Sequence, residues 1–149
     1  MGEPSLRERA LRHLARRDHS RAELARKLAG HGETAEVEAV IERMAELGLQ
    51  SDSRYAEAFV RSRAARFGSS RLRSELSRRG IDRELIDEAI AGECVESELD
   101  RARAVLHSRF SAAPADAREW ARQARFLQAR GFAPELIRKL LKEPHDESA

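Results

Sequence analysis

Apolar residues in this chain recur every three or four positions, in nine separate runs, which is the spacing of amphipathic helices. Leu6, Ala10, Leu11 and Leu14 mark the first run. Ser20 and Glu23 fit a capping box that opens a second helix bearing Leu24 and Leu28. A third follows Thr34, turns Val37, Val40, Ile41, Met44 and Leu47 inward, and ends at Gly48. The pattern then restarts. Asp52 is placed to cap a helix with Tyr55, Phe59 and Val60 that stops near Gly68; Ser69 or Ser70 opens one with Leu72 and Leu76, closed by Gly80. Asp82 caps the next, with Leu85, Ile86, Ala89 and Ile90. The last round carries Leu99, Ala102, Val105, Leu106 and Phe110, then Trp120, Ala124 and Leu127 up to Gly131. It closes with Leu136, Ile137, Leu140 and Leu141 behind Pro134, at a permitted first-turn position. β-Branched residues are sparse and never alternate with polar ones over a useful length, so strands are not expected.

The runs form an internal repeat. Its anchor is Leu-x3-Leu-x3-Gly: Leu24, Leu28, Gly32; Leu72, Leu76, Gly80; and, with one break, Gln123, Leu127, Gly131. Ile81 and Phe132 follow the second and third glycines directly. A left-handed glycine there would let each touch the leucine one turn back and staple to Ile86 or Ile137 in the next helix. The reading is all-α: three tandem three-helix, helix-turn-helix-like repeats forming an elongated curved rod. The modules are 1–50, 51–92 and 93–142, followed by a disordered acidic tail over 143–149.

Composition narrows the chemistry. Aromatics are only 5% of 149 residues, so the cores must come from Leu, Ile, Val and Ala, and are expected to be thin. The lone Cys94 excludes an intrachain disulfide and suits a reducing compartment. Its acidic neighbours raise a thiol's pKa, so it is not expected to be a nucleophile. The N-terminus lacks an apolar signal core and no stretch approaches a membrane span, so the expectation is a cytoplasmic protein without membrane contact.

No catalytic constellation emerges, and neither a cofactor nor a metal is expected. Gly30 and Gly32 flank His31 without the Lys-Ser or Lys-Thr of a phosphate loop. The five histidines are scattered, and His19 with Glu23 at i+4 reads as a salt contact at a turn, not as metal ligands. The aromatics fall mostly on apolar stripes and do not form a stacking platform for single strands.

Charge placement says more than the net +2. Residues 54–83 hold nine arginines against three acids, residues 84–100 seven acids and no Lys or Arg, and residues 101–142 ten basic against three acidic residues. Such alternation suits docking on a polyanionic or charge-patterned partner, or pairing of basic with acidic helices inside each module. Arg54 and Arg61 share a face of the middle module's first helix, as do Arg71 and Arg78 of its second; all four stand clear of the apolar stripes, as a partner-binding face requires. Arg79, seven residues after Leu72, is expected to flank the core.

The middle module also carries a likeness. Gly48-Leu49-Gln50-Ser51-Asp52-Ser53-Arg54-Tyr55-Ala56-Glu57-Ala58-Phe59 resembles the RecX family signature Gly-Leu, an apolar residue, Asp or Asn, Asp, x, Arg-Tyr-Ala-x-x-Phe. Gly68-Ser69-Ser70-Arg71-Leu72-Arg73-Ser74-Glu75-Leu76-Ser77-Arg78-Arg79-Gly80-Ile81 and Ser20-Arg21-Ala22-Glu23-Leu24-Ala25-Arg26-Lys27-Leu28 resemble two further motifs of that family. Gln50 and Ser51 depart from the signature, and the third module diverges most. The resemblance implies a non-enzymatic inhibitor that lies in the groove of the RecA nucleoprotein filament and blocks strand exchange and ATP hydrolysis. It implies a place in DNA repair, recombination and the SOS response. The lack of a leftover large apolar stripe makes a monomer the expectation, and the arginine excess without a base-reading helix leads to an expectation of only weak, non-specific DNA contact. The rival reading is a helix-turn-helix transcription regulator. Base readout favours Asn, Gln and Arg at the start of one recognition helix, which Ser70-Arg71-Leu72-Arg73 and Ser20-Arg21-Ala22-Glu23 match only in part.

Overall fold

The computed structural model describes residues 2–94 and 96–141; the expected acidic tail over 143–149 lies outside the described residues. Among these residues there are nine α-helices and no strand. They are α1 Leu6–Arg16, α2 Arg21–Leu28, α3 Thr34–Glu46, α4 Asp52–Arg63, α5 Ser69–Arg78, α6 Arg83–Glu93, α7 Glu98–His107, α8 Ala117–Ala129 and α9 Pro134–Leu140. The chain divides into two compact units, residues 1–58 with 76–89 (unit 1) and residues 59–75 with 90–149 (unit 2), so the divisions fall inside α4, α5 and α6.

Each unit holds a small apolar core. In unit 1, Ala10, Leu24, Leu28, Val37, Ile41 and Met44 pack together, with Leu6, Leu14 and Val40 against them. In unit 2, Ala102, Val105, Leu106, Leu127, Phe132, Ile137 and Leu141 do the same. A fully buried leucine contributes about 1.5–3 kcal/mol. Two residues placed on apolar stripes are exposed instead. Leu11 follows the buried Ala10 and so lies about 100° round α1; Leu47 sits at the C-cap of α3, where the helical stripe has ended.

Helix starts follow the expected chemistry with one correction. Ser20 Oγ accepts the Glu23 amide (3.1 Å) while Glu23 accepts the Ser20 amide (3.0 Å), the capping box read from the sequence. Asp52, however, does not cap α4. Ser51 Oγ takes the Arg54 amide at 3.1 Å, and the Asp52 carboxylate instead accepts from the Arg21 amide (2.7 Å) and from Gln50 Nε2 (2.9 Å). α5 opens at Ser69, as read from the sequence; there the Ser69 amide donates to Glu98 (2.7 Å) and the Ser70 amide to the Gly131 carbonyl (3.1 Å). One device thus occurs in both units: a carboxylate from the first turn of one module's opening helix satisfies the start of the preceding module's second helix. Asp52 does this for α2, and Glu98 for α5. Orphan amides at a helix start favour an anionic acceptor.

Helix ends match the anchor motif in two of its three copies. Gly80 (φ 81°) and Gly131 (φ 92°) are left-handed. Ile81 donates its amide to Leu76 and Phe132 to Leu127, both at 3.1 Å, which is the Schellman closure. Both apolar followers are buried. The first copy differs, because a short 3-10 turn over Ala29–His31 follows α2 and leaves Gly32 extended at φ −178°.

Candidate functional site

The two glycines do more than end helices. A Cβ on Gly80 would lie 2.4 Å from the Cβ of Ala22, so the end of α5 rests on the first turn of α2. Ser20, fully buried, fixes the contact by donating its hydroxyl to the Arg79 carbonyl at 2.7 Å. This close approach sets Arg78 and Arg79 beside the outer face of α2. The result is an open hollow of about 420 Å³ lined by Arg26, Lys27, Arg78, Arg79 and a single acid, Glu23.

That acid has partners of its own. Burial pushes the Glu23 carboxyl up, but the Ser20 amide, Arg17 and Tyr55 outweigh it and hold it below the usual carboxylate range. Tyr55 hydrogen-bonds with both Glu23 and Arg79; its phenol is pushed up by burial first and then by the Glu23 charge. Lys27 Nζ lies 3.1 Å from His19 Nε2. Arg26 and Arg78 are exposed and make no ion pair among the described residues. The hollow therefore presents cations to solvent in excess of its one carboxylate, an arrangement that attracts phosphate or carboxylate groups and weakens as salt rises.

The four arginines singled out from sequence are placed differently from one another. Arg78 lines this hollow. Arg54, also in unit 1, turns back to the end of α3, donating to the Gly48 (3.1 Å) and Leu49 (3.2 Å) carbonyls and pairing with Asp18 at 3.7 Å. In unit 2, Arg61 makes a two-pronged pair with Glu93 at 3.2 and 3.1 Å. Arg71 stacks over Phe67 (4.0 Å), pairs with Glu75 (3.5 Å) and donates to the Ala129 carbonyl (3.2 Å). Sequence reasoning missed Arg26 and Lys27, because only the Gly80–Ala22 approach brings them to Arg78. Arg79, expected to flank the core, is half-buried at the hollow's edge.

Unit 2 repeats the approach and holds Arg71, Arg130 and Arg101 against the chain. A Cβ on Gly131 would lie 2.2 Å from the Cβ of Arg71 and 2.7 Å from its amide nitrogen. Arg130 donates to the Arg66 carbonyl (3.2 Å) and lies over Phe126 (5.1 Å). Arg101, only 7% exposed, donates to the carbonyls of Ala64 and Phe67. No local signal marks Arg101, since its partners are more than thirty residues away.

Among the described residues there is no group of three His, Cys, Asp or Glu placed to hold a metal ion. The expected His19–Glu23 contact is replaced by two others: Nδ1 faces the Arg17 carbonyl at 2.9 Å, and Nε2 takes the Lys27 contact. The Cys94 thiol is half-buried and pushed up by burial first, then by Glu98 and Glu93, against the opposing charge of Arg101. No helix among the described residues is long and apolar enough to cross a membrane.

The fold defines a class: successive three-helix domains built from helices alone among the described residues. Sequence profiles of the RecX family match all three: "RecX, first three-helix domain" over residues 7–44, the second over 51–90 and the third over 96–141. Regulatory protein RecX of Leptothrix cholodnii is 48% identical over 139 residues, covering 93% of this chain and 88% of that one. Its counterpart in Chromobacterium violaceum is 40% identical over 144 residues, covering 96% and 93%. The crystal structure of RecX from Lactobacillus salivarius superposes with a TM-score of 0.77 at 22% identity, over 94% of both chains, which supports the fold. The chain belongs to the RecX family of regulatory proteins.

Proposed function

We propose that this chain is a non-enzymatic inhibitor of the RecA recombinase, acting as a cytoplasmic monomer that lies in the filament groove and blocks strand exchange and ATP hydrolysis. The observation that carries the reading is the match of three successive RecX domains along the chain. The modules 1–50, 51–92 and 93–142 are then the units of engagement. The basic hollow of unit 1 is where we place the contact with the filament, with Arg26 and Arg78 as its free cations. Of the four arginines put forward from sequence, Arg78 remains in that role, while Arg54, Arg61 and Arg71 each hold partners within the chain. Contact with DNA is weak, electrostatic and blind to sequence. The transcription-regulator reading loses ground because the starts of α2 and α5 are already engaged: Arg21 pairs with Glu42, and Arg71 lies on Phe67.

The test is single-strand-dependent ATP hydrolysis by RecA with substoichiometric amounts of this protein. Hydrolysis is expected to fall, and to recover when Arg26 and Arg78 are both changed to Glu. Unchanged hydrolysis with the unaltered protein overturns the proposal.

A further inference from the structure

A second cavity, wholly within unit 2, encloses about 310 Å³ among α7, the 111–114 segment, α8 and the end of α9. Its apolar wall comes from Leu106, Phe110, Leu140 and Leu141. Two cations, Arg103 and Lys139, and the His107 imidazole also line it. Arg103 is paired with Asp100 at 3.1 Å, whereas His107 and Lys139 are exposed and make no ion pair among the described residues.

Gln123 is the informative residue. It occupies the anchor position that Leu24 and Leu72 fill in the other two copies, each with no exposure. Gln123 is equally buried, at 1%, and lines the cavity. Its Nε2 donates to the Ala112 carbonyl at 3.1 Å, while its Oε1 has no hydrogen-bond partner among the described residues. The amide cannot be turned over, because that would set two acceptors against each other. A leucine here would avoid an unsatisfied buried acceptor, so the glutamine lowers stability unless something donates to it.

We propose that this cavity anchors an acidic peptide segment of a partner protein. One apolar side chain of the segment fills the space between Phe110 and Leu140, a peptide N–H donates to Gln123 Oε1, and a neighbouring carboxylate faces His107 and Lys139. The volume lies at the small end of ligand pockets and suits a single large side chain with its backbone. A nucleic-acid backbone fits poorly, because a phosphodiester has no hydrogen to donate to Oε1. The inference does not depend on the RecA reading, and its readout needs only this chain and synthetic peptides.

Trp120, the single tryptophan, reports on the site: its indole Nε1 donates at 3.0 Å to the carbonyl of Leu141, a lining residue. The experiment follows the indole N–H resonance of the full chain during titration with acetyl-Asp-Glu-Leu-Glu-Asp-amide, the Phe analogue of that peptide and its Gly analogue. The Leu or Phe peptide is expected to give a saturable shift with Kd below about 1 mM, and the Gly peptide binding weaker by roughly tenfold or more. Gln123→Leu, with an unchanged helical spectrum, is expected to weaken the better peptide at least roughly tenfold, an effect typical of an anchor contact. Lys139→Glu lies on an exposed position and carries the same expectation should Gln123→Leu disturb folding. Equal binding of the Gly peptide, no saturable shift with either apolar peptide, or full affinity in a folded Gln123→Leu or Lys139→Glu variant overturns the proposal.

Discussion

The junction in unit 1 and the junction in unit 2 are built to one plan and use their arginines in opposite ways. In both, a left-handed glycine brings the end of a second helix onto the first turn of the preceding module's second helix, Gly80 on Ala22 and Gly131 on Arg71. In both, an acid from the next module's opening helix satisfies the receiving helix start. Around Gly80 the receiving residue is the small Ala22, and Arg26 and Arg78 are left in solvent. Around Gly131 the receiving residue is itself an arginine, held by Phe67, Glu75 and the Ala129 carbonyl, and Arg101 is buried beneath carbonyls. Charge left facing solvent in one junction serves cohesion in the other. A count of arginines therefore cannot tell a binding surface from a buried clamp; the partners decide it.

The largest test of this contrast is at the glycines. Gly131→Ala combines left-handed strain with collision against Arg71 backbone and Cβ atoms, and should destabilise by about 3 kcal/mol or more. Gly80→Ala meets only the Ala22 methyl at comparable range and should cost about 2 kcal/mol. Gly48, also left-handed at φ 75°, has nothing within 4 Å, so its Ala variant isolates the backbone strain at about 1 kcal/mol. Urea unfolding that ranks the three in another order would mean that the close approaches are not what holds the junctions.

Next in size is Arg101. Replacing it with Met keeps the stem but leaves the Ala64 and Phe67 carbonyls without their donor, a loss of about 2 kcal/mol. In unit 1 the position one repeat earlier is Tyr55, whose hydroxyl serves Glu23 and Arg79. Tyr55→Phe should cost less, about 1 kcal/mol, because both partners are partly solvated and can turn to water. Equal losses in denaturant midpoint would argue that the two positions play the same part.

A sharper separation comes from charge reversal. Arg26→Glu with Arg78→Glu should leave stability within about 0.5 kcal/mol, as exposed substitutions do, yet remove the proposed inhibition of RecA. Arg71→Ala should do the converse: about 1–2 kcal/mol of stability lost with its ring contact and hydrogen bond, and little change in inhibition per folded molecule. Swapped outcomes would move the docking surface to unit 2.

How much of this was legible in the chain depended on range. The Leu/Gly anchors, the Ser20–Glu23 box and the Ile81 and Phe132 closures are local, so spacing alone revealed them. The Asp52 cap was misread because a carboxylate at a helix start suits its own helix as well as a neighbour's, and only tertiary packing sends it to Arg21. Arg78 was legible as exposed. Its companions Arg26 and Lys27 were not, since they join it through a contact between residues 22 and 80. The break at Gln123 was visible in the repeat, but the orphaned oxygen that gives it meaning needed the geometry around Ala112.

The smallest predicted effect is one of pH, and it belongs to unit 1. His19 is buried beside Lys27, Arg17 and Glu23, with the His13 ring 5.7 Å away. Desolvation first, then the charges of Arg17 and Lys27, lower its pKa from 6.5, against the opposing Arg17 carbonyl and Glu23. His13 is lowered in the same direction, by desolvation and then by Lys27, Arg16, Arg17 and His31. The unfolded chain thus takes up protons near pH 6.5 that the folded chain resists, so stability is full above that pH and declines as pH falls below it. Glu23 and Glu93, held low by their partners, lose their contributions only in the more acidic carboxylate range, which keeps the two windows apart. Melting temperature should therefore begin to drop between pH 7 and about pH 5, before carboxylates titrate. His19→Gln, which leaves an uncharged donor and acceptor beside Lys27 and the Arg17 carbonyl, should flatten most of that slope. A slope that survives in both His19→Gln and His13→Gln would place the proton uptake elsewhere in the chain.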